Sequence, residues 1–161
     1  MSYLGEATSK TKQMKHLFLL GLLAILFSGC SKDDDVDYGP IDEQLIKDYL
    51  EENDLEAQRH SSGLYYHIIT PGTGNNVYPN ARVTIRYTGK LLDGTVFDSG
   101  KLTDYPLSNL IPAWKIGIPM LKKGGKAIFY CPSALAYGSQ VKPTIPANSV
   151  LIFDVEVIHF Q

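Results

Sequence analysis

The sequence predicts an α+β fold: an antiparallel sheet of five to six strands wrapped around one short helix, preceded by an N-terminal helix. Three observations predict it. After Ser61, apolar and polar residues alternate in several segments, the period of half-buried strands. An Asp-Gly pair between two such segments marks a tight hairpin, so neighbouring strands run antiparallel. Helical spacing is confined to one stretch before the strands and one short stretch among them.

The first helical stretch follows Gly39-Pro40, with Asp42 as its expected N-cap and an end near Asn53-Asp54. Leu45, Ile46, Tyr49 and Leu50 make one apolar stripe, which packs on the body or on a second copy of the chain. Next, Leu64, Tyr66 and Ile68 alternate with Tyr65, His67 and Ile69, until Pro71-Gly72-Thr73-Gly74 breaks the strand. Val83, Ile85 and Tyr87 face one way and Arg82, Thr84 and Arg86 the other. Leu91 to Phe97 holds two strand ends around Asp93-Gly94. Pro112 to Gly117 is the short helix, bounded by Pro119. Ala127–Cys131 and Val150–Ile158 are two further strands, and Lys122, Lys123 and Lys126 are expected to solvate a turn around Gly124-Gly125.

The chain has 161 residues, 44% hydrophobic and 20% charged, which suits one folded domain and excludes a disordered or collagenous chain. Its net charge of −2 hides an asymmetry. Residues 31–56 hold eleven acids and two bases, whereas residues 57–161 hold five acids and ten bases. No Lys/Arg cluster suits a nucleic-acid groove, so no nucleic-acid partner is expected. Two cysteines exclude a disulfide scaffold. His16, His60, His67 and His159 lie far apart with no ligand spacing, and there is no glycine-rich phosphate loop. Neither a metal nor a cofactor is expected.

The N-terminal region carries an address. Met14-Lys15-His16, the apolar run Leu17 to Phe27 and the small residues after it form a secretory signal. The run is far short of the ~20 residues a membrane-spanning helix needs. Met14 suits the true start. Phe27-Ser28-Gly29-Cys30 resembles a bacterial lipobox, which implies cleavage before Cys30 and lipid on its sulfur and new amino terminus. The acidic run Ser31 to Asp35 is similar to the export tag of Bacteroidetes surface lipoproteins, and reads equally as a solvated tether. The expected organisation is a signal peptide over 1–29, a lipidated acidic tether over 30–40, a helix and linker over 41–60, and a folded domain over 61–161. The expected location is the bacterial outer membrane, on its periplasmic or cell-surface side. Cys131 then has no partner, and its apolar strand makes it a buried, inert thiol.

Five segments stand in order along the rest: Arg86-Tyr87-Thr88-Gly89, Asp93 to Ser99, Leu110 to Trp114, Leu135 to Gly138, and Ile145 to Glu156. Together they resemble the FKBP family of peptidyl-prolyl isomerases, over roughly Ser61 to the C-terminus. The resemblance implies an FKBP-like domain that isomerises X-Pro bonds of exported, unfolded polypeptides. It implies Trp114 as the floor beneath a proline ring, with Tyr87, Phe97, Ile111, Ile145 and Phe153 as apolar walls and Leu110 beside them. Tyr137 offers its phenol to the substrate carbonyl, and the Ile111 N–H offers a second donor. Asp98 lies beside the rotating amide, bonded to the Tyr87 hydroxyl. Taken singly, Phe97, Phe153 and Trp114 read as core, and Asp98 as part of an Asp-Ser-Gly turn.

The chain departs from the family pattern in places. Leu107 stands where many members have an aromatic after Pro, and only Ser108-Asn109 separates it from Leu110. The loop Ser139 to Thr144 is short, with Lys142-Pro143 near the rim. These departures bear on substrate preference and on affinity for immunosuppressive macrolides. A second reading keeps the fold and drops the catalysis: a proline-segment-binding chaperone or interaction module.

Overall fold

The computed structural model describes residues 36–161, so the expected signal peptide and the expected lipidation site Cys30 lie outside the described residues. Helix α1 (Tyr38–Glu52) starts earlier than the spacing of its apolar residues indicates. Asp37 is the N-cap, its carboxylate accepting the Gly39 N–H at 2.9 Å. Pro40 fits the first turn, where its missing N–H costs nothing. Asp42 is therefore a residue within the helix, not its cap, and it is 1% exposed. The buried face runs Asp42, Ile46, Leu50, four apart, while Leu45 lies outside it at 42% exposure.

The strands are β1 (Gln58–Arg59), β2 (Tyr65–Thr70), β3 (Thr73–Asn76), β4 (Arg82–Leu91) and β5 (Val96–Pro106). After the short helix α2 (Pro112–Gly117) come β6 (Lys122–Lys123), β7 (Lys126–Cys131) and β8 (Leu151–Phe160). Six of them form one antiparallel sheet in the order β1-β2-β7-β8-β4-β5, and β3 pairs with β6 separately. The expected hairpin joins β4 to β5: Leu91 N–H donates to the Thr95 carbonyl at 2.9 Å, and Asp93 accepts the Thr95 N–H at 2.8 Å.

Asp98-Ser99-Gly100, whose composition alone suits a turn, lies within β5, where these residues pair with Gly89, Thr88 and Tyr87 of β4. The turn expected around Gly124-Gly125 is present, the Gly125 N–H donating to the Lys122 carbonyl at 2.9 Å; Lys122 and Lys123 lead into it as β6, paired with Asn76 and Thr73, and Lys126 reaches Glu156 at 3.5 Å.

Strand alternation divides the side chains of the central strands between two apolar layers. Ala127, Phe129 and Cys131 of β7, with Leu151, Phe153, Val155 and Val157 of β8, face α2 and form the main core with Trp114 and Ile118. Tyr130 and Ile152 face the other way and pack against Ile46 and Leu50 of α1. Each aliphatic side chain buried there contributes about 1.5–3 kcal/mol. Of the two partners open to the α1 stripe, the chain's own sheet thus takes Ile46 and Leu50.

The seat of α2 depends on one glycine. A Cβ on Gly117 would stand 2.5 Å from Cε1 and 2.6 Å from Cζ of Phe129, a fully buried ring with no room to retreat. Gly117→Ala gains up to about 1 kcal/mol of helix propensity but overpacks the core by about 1–3 kcal/mol. The expected outcome is a net loss of roughly 1–2 kcal/mol in urea unfolding. An unfolding midpoint at or above wild type would show that Phe129 yields.

Candidate active site

Helix α2 opens with Pro112 at its first position and Ile111 as a cap lacking a side-chain hydrogen bond. One turn in, it lays Trp114 across the inner face of the sheet. The indole is 5% exposed and sits between two rings, each meeting it near edge-on. The centroid of Tyr87, from β4, is 5.1 Å away at 68°; that of Phe153, from β8, is 5.1 Å away at 79°. Phe97 of β5 backs Phe153 at 5.6 Å and 88°. Register explains the grouping. Gly89 pairs with both Phe153 and Asp98, and its missing side chain leaves the space that the Phe97 and Phe153 rings fill.

Above this floor lies a cavity of about 260 Å³, lined by Tyr87, Asp98, Leu102, Asn109, Leu110, Ile111, Trp114, Tyr137 and Phe153. Larger hollows of about 510–530 Å³ lie beside α1, but without a comparable gathering of aromatic rings and hydroxyl groups. The cavity's polar groups are few and directed. Tyr87 Oη donates to Asp98 Oδ2 at 2.7 Å. Burial first, and then this bond to the carboxylate, pushes the Tyr87 phenol up to about 12, so it keeps its proton at neutral pH. Burial, and then the charge of Asp98, also pushes the Tyr137 phenol up. Among the described residues, neither Tyr137 Oη nor the Ile111 N–H has a hydrogen-bond acceptor, so both are available as donors. Lys142 Nζ sits 5.4 Å from the Tyr137 ring centroid, placing a cation at the rim.

The structure gathers seven expected site residues around this one void: Asp98, Tyr137, Tyr87, Ile111, Trp114, Phe153 and Leu110. It places three elsewhere. Phe97 stands behind Phe153 and does not line the cavity. Ile145 is 5% exposed and packs in the core. Leu107 is fully buried, because its N–H donates to the Ala81 carbonyl at 3.0 Å and the 3₁₀ turn Leu107–Asn109 tucks inward. Leu102 and Asn109 line the cavity and were not expected. Leu102 shares parity along β5 with Asp98, a signal legible only once the strand is known to continue.

The family model for FKBP-type peptidyl-prolyl cis-trans isomerases matches residues 74–158. The chain belongs to this family. This FKBP-type chain is 42% identical over 117 residues to a probable FKBP-type peptidyl-prolyl cis-trans isomerase, FkpA, of Neisseria meningitidis, covering 68% of this chain and 43% of that one. It is 38% identical over 118 residues to FkpA of Escherichia coli, covering 70% and 44%. The crystal structure of the Escherichia coli FkpA superposes with a TM-score of 0.67 at 30% identity, covering 97% of this chain and 74% of that one. The chain spans less than half the length of these curated relatives.

The Tyr87 phenol carries a pH signature. Its folded value lies above the unfolded value of 10.0, so its contribution to stability is whole below pH 10 and is lost as pH rises through about 12. Unfolding of wild type and Tyr87→Phe across this window should show wild type losing stability faster. Parallel curves would mean that the phenol ionises as freely folded as unfolded.

Proposed function

We propose that the chain is a peptidyl-prolyl cis–trans isomerase acting on X-Pro bonds of exported polypeptides. What supports this reading above all is the Trp114 floor joined to the Tyr87–Asp98 pair and two unpartnered donors around one cavity. Rotation about a peptide bond is slow because amide resonance sets a barrier of about 18–20 kcal/mol, and X-Pro bonds isomerise in tens to hundreds of seconds. Lowering that barrier needs no bond-making. The proline ring rests on Trp114, and the walls Phe153, Ile111 and Leu110 strip water from the imide carbonyl. Loss of solvation costs the planar, polar amide more than the twisted one. The Ile111 N–H and Tyr137 Oη then hold substrate carbonyls in the rotated geometry, so binding is tighter at the transition state. Asp98 fixes the Tyr87 ring and places a carboxylate beside the rotating imide.

The test is a proline-peptide isomerisation assay on the mature chain. Catalysis requires a rate above the uncatalysed one that is proportional to protein concentration. Binding of proline peptides with no acceleration would instead establish the chaperone or interaction module.

The reading includes a lipid anchor on Cys30 at the bacterial outer membrane, periplasmic or cell-surface side, supported by Phe27-Ser28-Gly29-Cys30 and the acidic run behind it. Cys30→Ser should release the protein from the membrane fraction. It further includes a macrolide competing for the cavity, and a second copy of the chain meeting Ile41 and Leu45, which stay exposed on α1.

A further inference from the structure

Asp42 is 1% exposed, an acidic residue on the otherwise apolar buried face of α1, against the 3₁₀ turn Ser133–Leu135. Its Oδ2 accepts two hydrogen bonds from one residue, Ser133: the backbone N–H at 2.8 Å and the hydroxyl at 2.6 Å. Its Oδ1 is buried with no partner among the described residues. A half-satisfied carboxylate taken out of water is costly, and an aliphatic residue would seal this helix face at less expense. Other contacts also dock α1. Ile46 and Leu50 supply the apolar contact, and Glu43 adds a bond to Arg59 at 3.0 Å.

Ser133 is 2% exposed, and its carbonyl accepts from the N–H of Ala136 at 2.9 Å and of Gly138 at 2.8 Å. Those two amides flank Tyr137, whose ring lines the cavity. From the other side, Gly138 is fixed by its carbonyl, which accepts the Asn148 N–H at 2.8 Å. Both donors of Ser133 point into Asp42, and its carbonyl grips the backbone on either side of Tyr137. The link crosses 91 residues of sequence.

We propose that Asp42 is a positioning residue: through Ser133 it sets the placement of the Tyr137 phenol over the cavity. The N-terminal helix is thereby part of the site's geometry and not only a cover for the outer sheet face. This rests on the isomerase reading above.

A mutant cycle in the full mature chain tests it. Asp42→Asn keeps an acceptor oxygen and removes the charge; Asp42→Ala strands both Ser133 donors; each is made alone and with Tyr137→Phe. In the Tyr137 background, kcat/KM for a proline peptide should fall roughly 3–10-fold in Asp42→Ala and less in Asp42→Asn. In the Tyr137→Phe background the same substitutions should change it by under about twofold, because the group they place is gone. Amide exchange at Ala136 and Gly138 should quicken at least about tenfold in Asp42→Ala, while Leu50 keeps its protection and reports a docked α1. Equal losses in both backgrounds, or unaltered exchange at Ala136 and Gly138, would overturn the proposal. Should the wild type fail to accelerate isomerisation, the functional reading falls, and exchange at those two amides alone decides the role of Asp42.

Discussion

Trp114→Ala is expected to lower the unfolding free energy by about 3–5 kcal/mol and to bring proline-peptide isomerisation close to the uncatalysed rate. Both effects have one origin. The indole is almost wholly buried and braces Tyr87 and Phe153, each 5.1 Å away, so its removal extends the existing void of about 260 Å³ into the core. The walls cannot collapse onto that space without unseating the ring pair held over Gly89. An enlarged, wetter cavity no longer strips the imide carbonyl of water. Trp114→Leu separates the two effects: it restores part of the buried apolar area while leaving no flat surface for a proline ring. We expect it to recover part of the lost stability and little of the activity, as read by urea unfolding and by the peptide assay. Wild-type kcat/KM in a folded Trp114→Leu protein would remove the indole from the mechanism.

Asp98→Ala is the second large effect, and it should fall almost entirely on rate. Asp98 is exposed, so its loss creates no buried void. What it does lose is a charge-assisted hydrogen bond from the Tyr87 hydroxyl at 2.7 Å, and the negative charge beside the imide. Hydrogen bonds to charged groups contribute about 1.5–3 kcal/mol, which corresponds to roughly 10–100-fold in kcat/KM if that stabilisation is realised at the transition state. Asp98→Asn divides the two contributions, since the amide oxygen can still accept from Tyr87 while the charge is gone. The Tyr87 phenol should also titrate at lower pH in Asp98→Ala, with burial and the neighbouring Tyr137 left to raise it. An Asp98→Ala protein within twofold of wild type would leave catalysis to the apolar cavity and the carbonyl donors.

Much of this arrangement could be read from the residues, and the exceptions have physical causes. Pro112 and Pro119 bracket α2 so tightly that its limits are legible directly. The alternation of Val83, Ile85 and Tyr87 fixes which face of β4 meets the core, and so brings Tyr87 to Trp114. The start of α1 is hidden because Gly39-Pro40 looks like a break, whereas a first helical turn tolerates both. The reach of β5 is hidden because Asp98-Ser99-Gly100 has turn composition, and only pairing with β4 overrides it. Leu102 is hidden with it, since only a continuing strand puts it on the same face as Asp98. Leu107 stands outside the cavity for a different reason: the shortened turn brings its backbone to the Ala81 carbonyl, a contact between distant segments that local spacing cannot express. The pairing of β3 with β6 rests on four residues of Thr, Gly and Asn and two lysines, none of which carries a strand pattern.

Cys131 lies fully buried between the sheet and α2, and burial pushes its thiol far above the ordinary range. A sulfur so seldom ionised and so screened from collision cannot start thiol–disulfide exchange in the folded state. An oxidising compartment would therefore find no accessible thiol among the described residues. The domain's redox vulnerability is confined to the interval before strand β7 is covered, when the same thiol is briefly open to mispairing with a neighbouring nascent chain.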